Sequence, residues 1–107
     1  MKLYGLKTCD TCRKALKALR DAGHEVEFHD LRADGLPAER IAEFHARFGD
    51  ILLNRRSTTW RNLSEAEREH DPVDLIVVHP TLMKRPVIDV DGTLHLGWDA
   101  TTRAELT

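Results

Sequence analysis

A chain of 107 residues, 41% apolar and 32% charged, is long enough to bury one modest core without disulfide or metal staples. Sixteen basic against eighteen acidic residues leave a formal charge of −2, which excludes a strong bulk attraction to nucleic acid. No apolar run approaches a membrane span, and Met1-Lys2-Leu3-Tyr4-Gly5 lacks the apolar core of a signal peptide. The expectation is one domain over residues 1–107, cytoplasmic, with no membrane or nucleic-acid partner and monomeric by default.

Lys2 to Leu6 reads as a short strand. Arg13 to Ala22 places Leu16 and Leu19, with Ala15 and Ala18, on one side of a helix. Between them stands Cys9-Asp10-Thr11-Cys12, so the C-x-x-C falls at a strand-to-helix turn. Unpaired N–H groups and the positive end of the helix dipole favour an anion there. A thiolate is such an anion, and Cys9 is therefore predicted to be nucleophilic near neutral pH. The backbone N–H groups of Thr11, Cys12 and Arg13 would stabilise it and receive an incoming anion. Cys12, about one helical turn on, is placed to attack a mixed disulfide formed at Cys9.

A C-x-x-C is also half of a zinc site, but structural zinc takes four ligands. No second C-x-x-C exists, and the six histidines are scattered without paired spacing, so no metal is expected. An inert buried pair is the other alternative. With no export signal the cysteines are expected in a reducing cytosol, where such pairs are more often catalytic than structural. The strand–C-x-x-C–helix context also belongs to thioredoxin-like redox proteins.

Gly23 closes the first helix, and Glu25 to His29 alternates with Val26 and Phe28 on one face, as a half-buried strand does. Asp34-Gly35 is a turn. Pro37 suits the first position of a helix with an Ile41, Phe44 and Phe48 stripe ending at Gly49. Asp50 to Asn62 has no clear period and holds Trp60, read as a loop anchor. Ser64 with Glu67 forms a capping box for a short helix, and Pro72 suits another helix start. Val73 to Val78 is strand-like in composition and stays ambiguous. Val87 to Val90 and Thr93 to Leu96 flank Asp91-Gly92, a hairpin signal, and Asp99 caps a last helix. The order is β-α-β, a helical insertion, then β-β-α: an α/β, thioredoxin-like fold.

Arg85-Pro86 precedes the hairpin. A proline there marks a strand start, an edge or a cis turn, and in this fold the loop would face the C-x-x-C. Arg85 is then predicted to hold an oxyanion or a substrate carboxylate by paired hydrogen bonds. The alternative is a solvated arginine beside a turn proline. Arg55 and Arg56 form either a second anion clamp or a solvated face. Lys7 and Arg13 flank the cysteines and are predicted to lower the thiolate pKa further.

Tyr4-Gly5-Leu6-Lys7-Thr8-Cys9-Asp10-Thr11-Cys12-Arg13-Lys14-Ala15, with His79-Pro80-Thr81-Leu82-Met83-Lys84-Arg85-Pro86-Val87, closely resembles the arsenate reductase (ArsC)/Spx family, and within it the YffB-like branch. The resemblance spans nearly the whole chain. It implies a thioredoxin-like fold with a helical insertion, and a catalytic cysteine at Cys9. It also implies an oxyanion-binding arginine at Arg85 before a cis-proline at Pro86, and helix rather than strand over Val73 to Met83. Glutathione is implied as thiol co-substrate, with glutaredoxin a further thiol partner and no bound cofactor.

Three departures qualify this. Single-cysteine arsenate reductases have serine where this chain has Cys12. Their arginine after Leu-Leu is replaced by Asn54, with arginines only at Arg55 and Arg56. A further arginine is missing from Thr93 to Gly97. These weigh against arsenate as substrate. Cys12 is shared with Spx, a redox-switched regulator that binds RNA polymerase, although Spx-like proteins carry a longer C-terminal extension. The expected function is a glutathione-dependent thiol/disulfide reductase, with the regulator and the arsenate reductase as alternatives.

Overall fold

The computed structural model describes residues 1–107. In chain order the elements are β1 (Lys2–Gly5), α1 (Asp10–Asp21), β2 (Glu27–Asp30), α2 (Ala38–Phe48), α3 (Thr58–Arg61) and α4 (Glu65–Arg68). They continue with α5 (Pro72–Val78), β3 (Val87–Val90), β4 (Thr93–Leu96) and α6 (Ala100–Leu106). Two compact units emerge, Met1–Gly35 with Arg85–Thr107, and Leu36–Lys84. The second is the helical insertion that the element order predicts.

In the first unit the sheet order is β2-β1-β3-β4. β1 pairs parallel with β2 and antiparallel with β3, and β3 pairs antiparallel with β4. Leu3 lies between Phe28 and Ile88 in that register. Helical spacing puts Cys12, Ala15 and Leu19 of α1 on one stripe, and these pack with Leu3, Val26 and Ile88 as a core, flanked by Leu16, Phe28 and Leu106. Each fully buried Leu or Ile contributes about 1.5–3 kcal/mol. Asp91 and Gly92 both have positive φ, 50° and 92°, the twist a two-residue hairpin needs. The Asp89 carboxylate accepts the Gly92 N–H at 2.8 Å. Asp99 accepts the Thr102 N–H at 2.8 Å and starts α6.

In the second unit, α2 buries Ile41 and Phe44 and packs on α5. The stretch without a sequence period becomes a 3-10 turn at Gly49–Leu52. Asn54 N–H then donates to the Leu82 carbonyl, and Lys84 N–H to the Leu52 carbonyl, both at 2.7 Å. The Ser64–Glu67 capping box forms as predicted. Val73 to Val78 is helical because Asp71 caps the Val73 N–H at 2.9 Å and Pro72 sits in the first turn. Its strand-like composition reflects Val77 and Val78 exposed on the outer face.

Several boundaries differ from expectation. Helix α1 begins at Asp10, not Arg13, so Cys12 is inside its first turn. Strand β2 starts at Glu27, and Pro37 caps α2 from outside rather than opening it. No helix is long and apolar enough to cross a membrane.

Candidate active site

The site is built where β1 hands over to α1. Cys9 is the N-cap residue of α1, in extended conformation (φ −87°, ψ 117°). Its N–H donates to the Leu6 carbonyl at 3.0 Å and its carbonyl accepts the Arg13 N–H at 3.1 Å. The backbone is thus pinned from both sides while the half-buried side chain stays accessible. Sulfur is a weak acceptor, and no hydrogen bond of ordinary cap geometry reaches it. The Cys12 N–H nevertheless favours the charged sulfur.

Burial is the largest single influence on the Cys9 thiol and pushes its pKa up. The Cys12 N–H, the Cys12 thiol and the Arg85 guanidinium together outweigh it, so the net displacement is downward. The two cysteines are driven apart. Cys12 is fully buried, and its pKa is pushed up to about 12, by burial first and then by the Cys9 sulfur it faces. The Leu6 N–H and the Arg85 charge oppose this without reversing it. At neutral pH Cys12 is a neutral thiol, and as a donor to the Cys9 sulfur it favours the charged form there.

Strand pairing brings Arg85 to the cysteines. Tyr4 pairs with Val87, and one step further along that antiparallel register Pro86 comes alongside Gly5. The Arg85–Pro86 peptide bond is cis. Pro86 is fully buried, and its carbonyl accepts the Gly97 N–H at 2.8 Å, tying this loop to the end of β4. Arg85 acts on Cys9 through both a hydrogen bond and its charge.

The sequence neighbours behave differently. The Arg13 guanidinium pairs with Asp10 on the exposed face of α1, and its N–H serves the Cys9 carbonyl. Lys7 is exposed and turns its backbone N–H to Asp30. Neither is among the groups that displace Cys9, so the expected help from these two charges is corrected: Arg85 supplies the positive charge. Thr11 is an exposed residue of the first turn.

Arg55 and Arg56 belong to the second unit. With Asn54, Asp50 and Lys84 they line a groove of about 530 Å³. The Arg55 guanidinium lies 5.5 Å from the Trp60 ring centroid, and Arg68 covers the same ring at 5.2 Å. Trp60 is therefore half-buried between two cations, and the Arg68 side chain also donates to the Trp60 carbonyl at 3.1 Å.

Two site residues carried no sequence signal strong enough to single out. One is Gly5, at the end of β1. The other is Asp30, a buried carboxylate at the end of β2. Its Oδ2 accepts the Lys7 N–H at 2.9 Å, and its Oδ1 accepts the N–H groups of Arg32 at 2.8 Å and Ala33 at 2.9 Å. The Ala33 N–H is the main cause holding the Asp30 carboxyl below the usual range; burial opposes it, and the Lys7 and Arg32 N–H groups reinforce it. Asp30 thereby fixes the turn that leads into Cys9. An Asp two and three residues before backbone donors is an Asx-turn pattern that a closer reading could have found.

Asp30→Ala is expected to lower stability by about 2–3 kcal/mol at pH 7, because three backbone donors lose a charged acceptor. Its folded pKa is depressed, so this contribution is complete above the unfolded carboxylate value of about 3.9 and disappears as pH falls through the folded value. Urea melts should therefore show the gap between wild type and variant closing in acid. A gap that persists unchanged to the acid limit would remove the charged form of Asp30 from the account.

Comparison with known proteins agrees with this architecture. The ArsC family model matches residues 4–106. An uncharacterised protein of Haemophilus influenzae is 42% identical over 102 residues, covering 91% of this chain and 90% of its own. The solved structure of a YffB protein superposes with a TM-score of 0.90 at 33% identity, covering 98% of this chain and 96% of its own. That of an arsenate reductase (ArsC) related protein from Brucella melitensis gives 0.75 at 37% identity, covering 97% and 91%. The global transcriptional regulator Spx of Streptococcus pyogenes is 28% identical over 105 residues, 91% of this chain and 77% of the regulator. The chain has the α/β, thioredoxin-like fold of these structures, and it belongs to the ArsC family.

Proposed function

We propose that the protein is a glutathione-dependent thiol–disulfide reductase with Cys9 as nucleophile. The observation that carries this reading is the split between the cysteines. One is accessible and biased toward thiolate, and the other is a buried neutral donor beside it. Similarity to the arsenate reductase (ArsC) related protein supports the reductase class.

In the first step the Cys9 thiolate attacks a disulfide between substrate and glutathione. A Cys9–glutathione bond forms, the old sulfur–sulfur bond breaks, and the substrate leaves as thiolate with the electron pair. Arg85 holds the anionic part of the substrate or of glutathione, against the buried turn at Pro86. Thr11, in the first turn of α1, contributes its backbone N–H to the same anion-binding region, whereas the Arg13 N–H is taken by the Cys9 carbonyl; Arg55 and Arg56 offer a second anion clamp in their own unit.

Two resolutions are open. A second glutathione thiolate can attack the mixed disulfide, releasing oxidised glutathione and restoring the Cys9 thiolate. Alternatively Cys12 attacks, leaving a Cys9–Cys12 disulfide that outside thiols, glutathione or a glutaredoxin, must reduce. Once Cys9 is in a mixed disulfide its charge is gone, and its charge-based contribution to raising Cys12 goes with it; burial, the largest cause, stays. Cys12 is thus a slow resolving cysteine, and glutathione competes with it. All reducing equivalents come from free thiols of a reducing cytosol, with no resident cofactor and the protein acting as a monomer.

The test is turnover of a glutathione mixed disulfide at increasing glutathione concentration, with Cys9 followed by mass mapping. A Cys9–glutathione adduct that forms and clears with turnover supports the reading. No adduct and no turnover at any glutathione concentration would overturn it.

A second reading rests on the same pair together with the likeness to Spx: a redox-sensing regulator whose Cys9–Cys12 disulfide changes its grip on RNA polymerase. It requires that polymerase be retained by one redox form and not the other. Arsenate reduction stands behind both, since Asn54 occupies the place where the family pattern has arginine.

A further inference from the structure

Gly5 has an ordinary strand conformation, absent from the glycines with positive φ, so nothing in its backbone calls for glycine. The reason for it lies in what a side chain would meet. A Cβ at this position would stand 2.5 Å from Cys12 Sγ and 3.1 Å from Cys12 Cβ, well inside van der Waals contact. Cys12 is fully buried in the core among Leu3, Ala15 and Ile88, so its sulfur can give way only by leaving its present place beside Cys9. Interiors packed to crystal-like density transmit such a clash rather than absorb it.

We infer that Gly5 is a positioning residue for the nucleophile: by carrying no side chain it lets the Cys12 thiol lie against the end of β1, where that thiol donates to Cys9 Sγ. A methyl group here turns Cys12 Sγ away, and Cys9 loses a donor without losing any atom of its own. The inference rests on Cys9 being the reacting thiolate.

The experiment is the pH profile of Cys9 alkylation, read by mass mapping, in wild type, Gly5→Ala, Cys12→Ala and the double variant. Gly5→Ala should raise the Cys9 midpoint, leaving about two- to tenfold less thiolate at pH values below both midpoints, as loss of one hydrogen bond does. Cys12→Ala should raise it similarly, and adding Gly5→Ala to Cys12→Ala should move it no further. A Gly5→Ala midpoint equal to wild type, or additive shifts in the double variant, would overturn the inference. If Gly5→Ala does not fold, the double variant should, because the 2.5 Å contact with the sulfur is gone and the remaining 3.1 Å contact with the residue-12 Cβ needs only a small shift; failure of the double variant to fold equally overturns it. A wild-type midpoint no lower than that of a free cysteine would instead sink the functional reading on which this stands.

Discussion

Cys9→Ser is expected to lower kcat/KM for glutathione-dependent disulfide reduction by on the order of 10³-fold or more, to the background rate. Serine keeps the shape of the N-cap and the backbone bonds to Leu6 and Arg13, so the fold should survive. It loses the two properties the chemistry uses, ionisation near neutral pH and the ability to form a sulfur–sulfur bond. The Cys12 N–H and the Arg85 guanidinium favour an anion at this position but cannot ionise an alcohol there. The check is turnover of a glutathione mixed disulfide alongside a thermal melt. A folded Cys9→Ser protein that keeps full turnover would mean the reacting group lies elsewhere.

Arg85→Ala should lower kcat/KM by about 10- to 100-fold, the range for losing a charge-assisted hydrogen bond. The loss has two separable parts. Arg85 helps hold the Cys9 thiol below its ordinary pKa through a hydrogen bond and its charge, so the variant should titrate higher. Below the wild-type midpoint the variant lacks thiolate; above its own midpoint both proteins are ionised and only weaker anion binding remains. The ratio of wild-type to variant kcat/KM should therefore be widest in acid and narrow as pH rises. Arg85→Lys keeps the charge but not the planar fork, and should recover the pH profile better than the KM. A pH-independent ratio would leave Arg85 as a binding group only, and unchanged kinetics would remove it from the site.

The layout of this site was legible in the sequence where it depends on neighbours in the chain. The C-x-x-C between an apolar run and a helical stripe placed Cys9 at a helix start, and Asp91-Gly92 placed the hairpin. Helix α1 opens three residues earlier than its apolar stripe because Asp10 and Thr11 face solvent and add nothing to a hydrophobic period. Lys7 and Arg13 are close to Cys9 along the chain but direct their groups to Asp30 and Asp10. Arg85, remote in sequence, acts on the sulfur because β3 pairs with β1. Gly5 was opaque for a related reason: its value lies in a sulfur from the next element that occupies the space a side chain would take. Asp50 to Asn62 resisted reading because the geometry of its first part is set by long-range pairing of Leu53 with Met83, not by local propensity.

This fold biases Cys9 toward the thiolate through the Cys12 and Arg85 groups beside it. The most direct measurement is the pH dependence of Cys9 alkylation in the wild-type protein, with and without glutathione. A midpoint clearly below the ordinary cysteine value of about 8.5, shifted when glutathione occupies the site, is the predicted result. A midpoint at or above that value, unmoved by glutathione, would contradict the account.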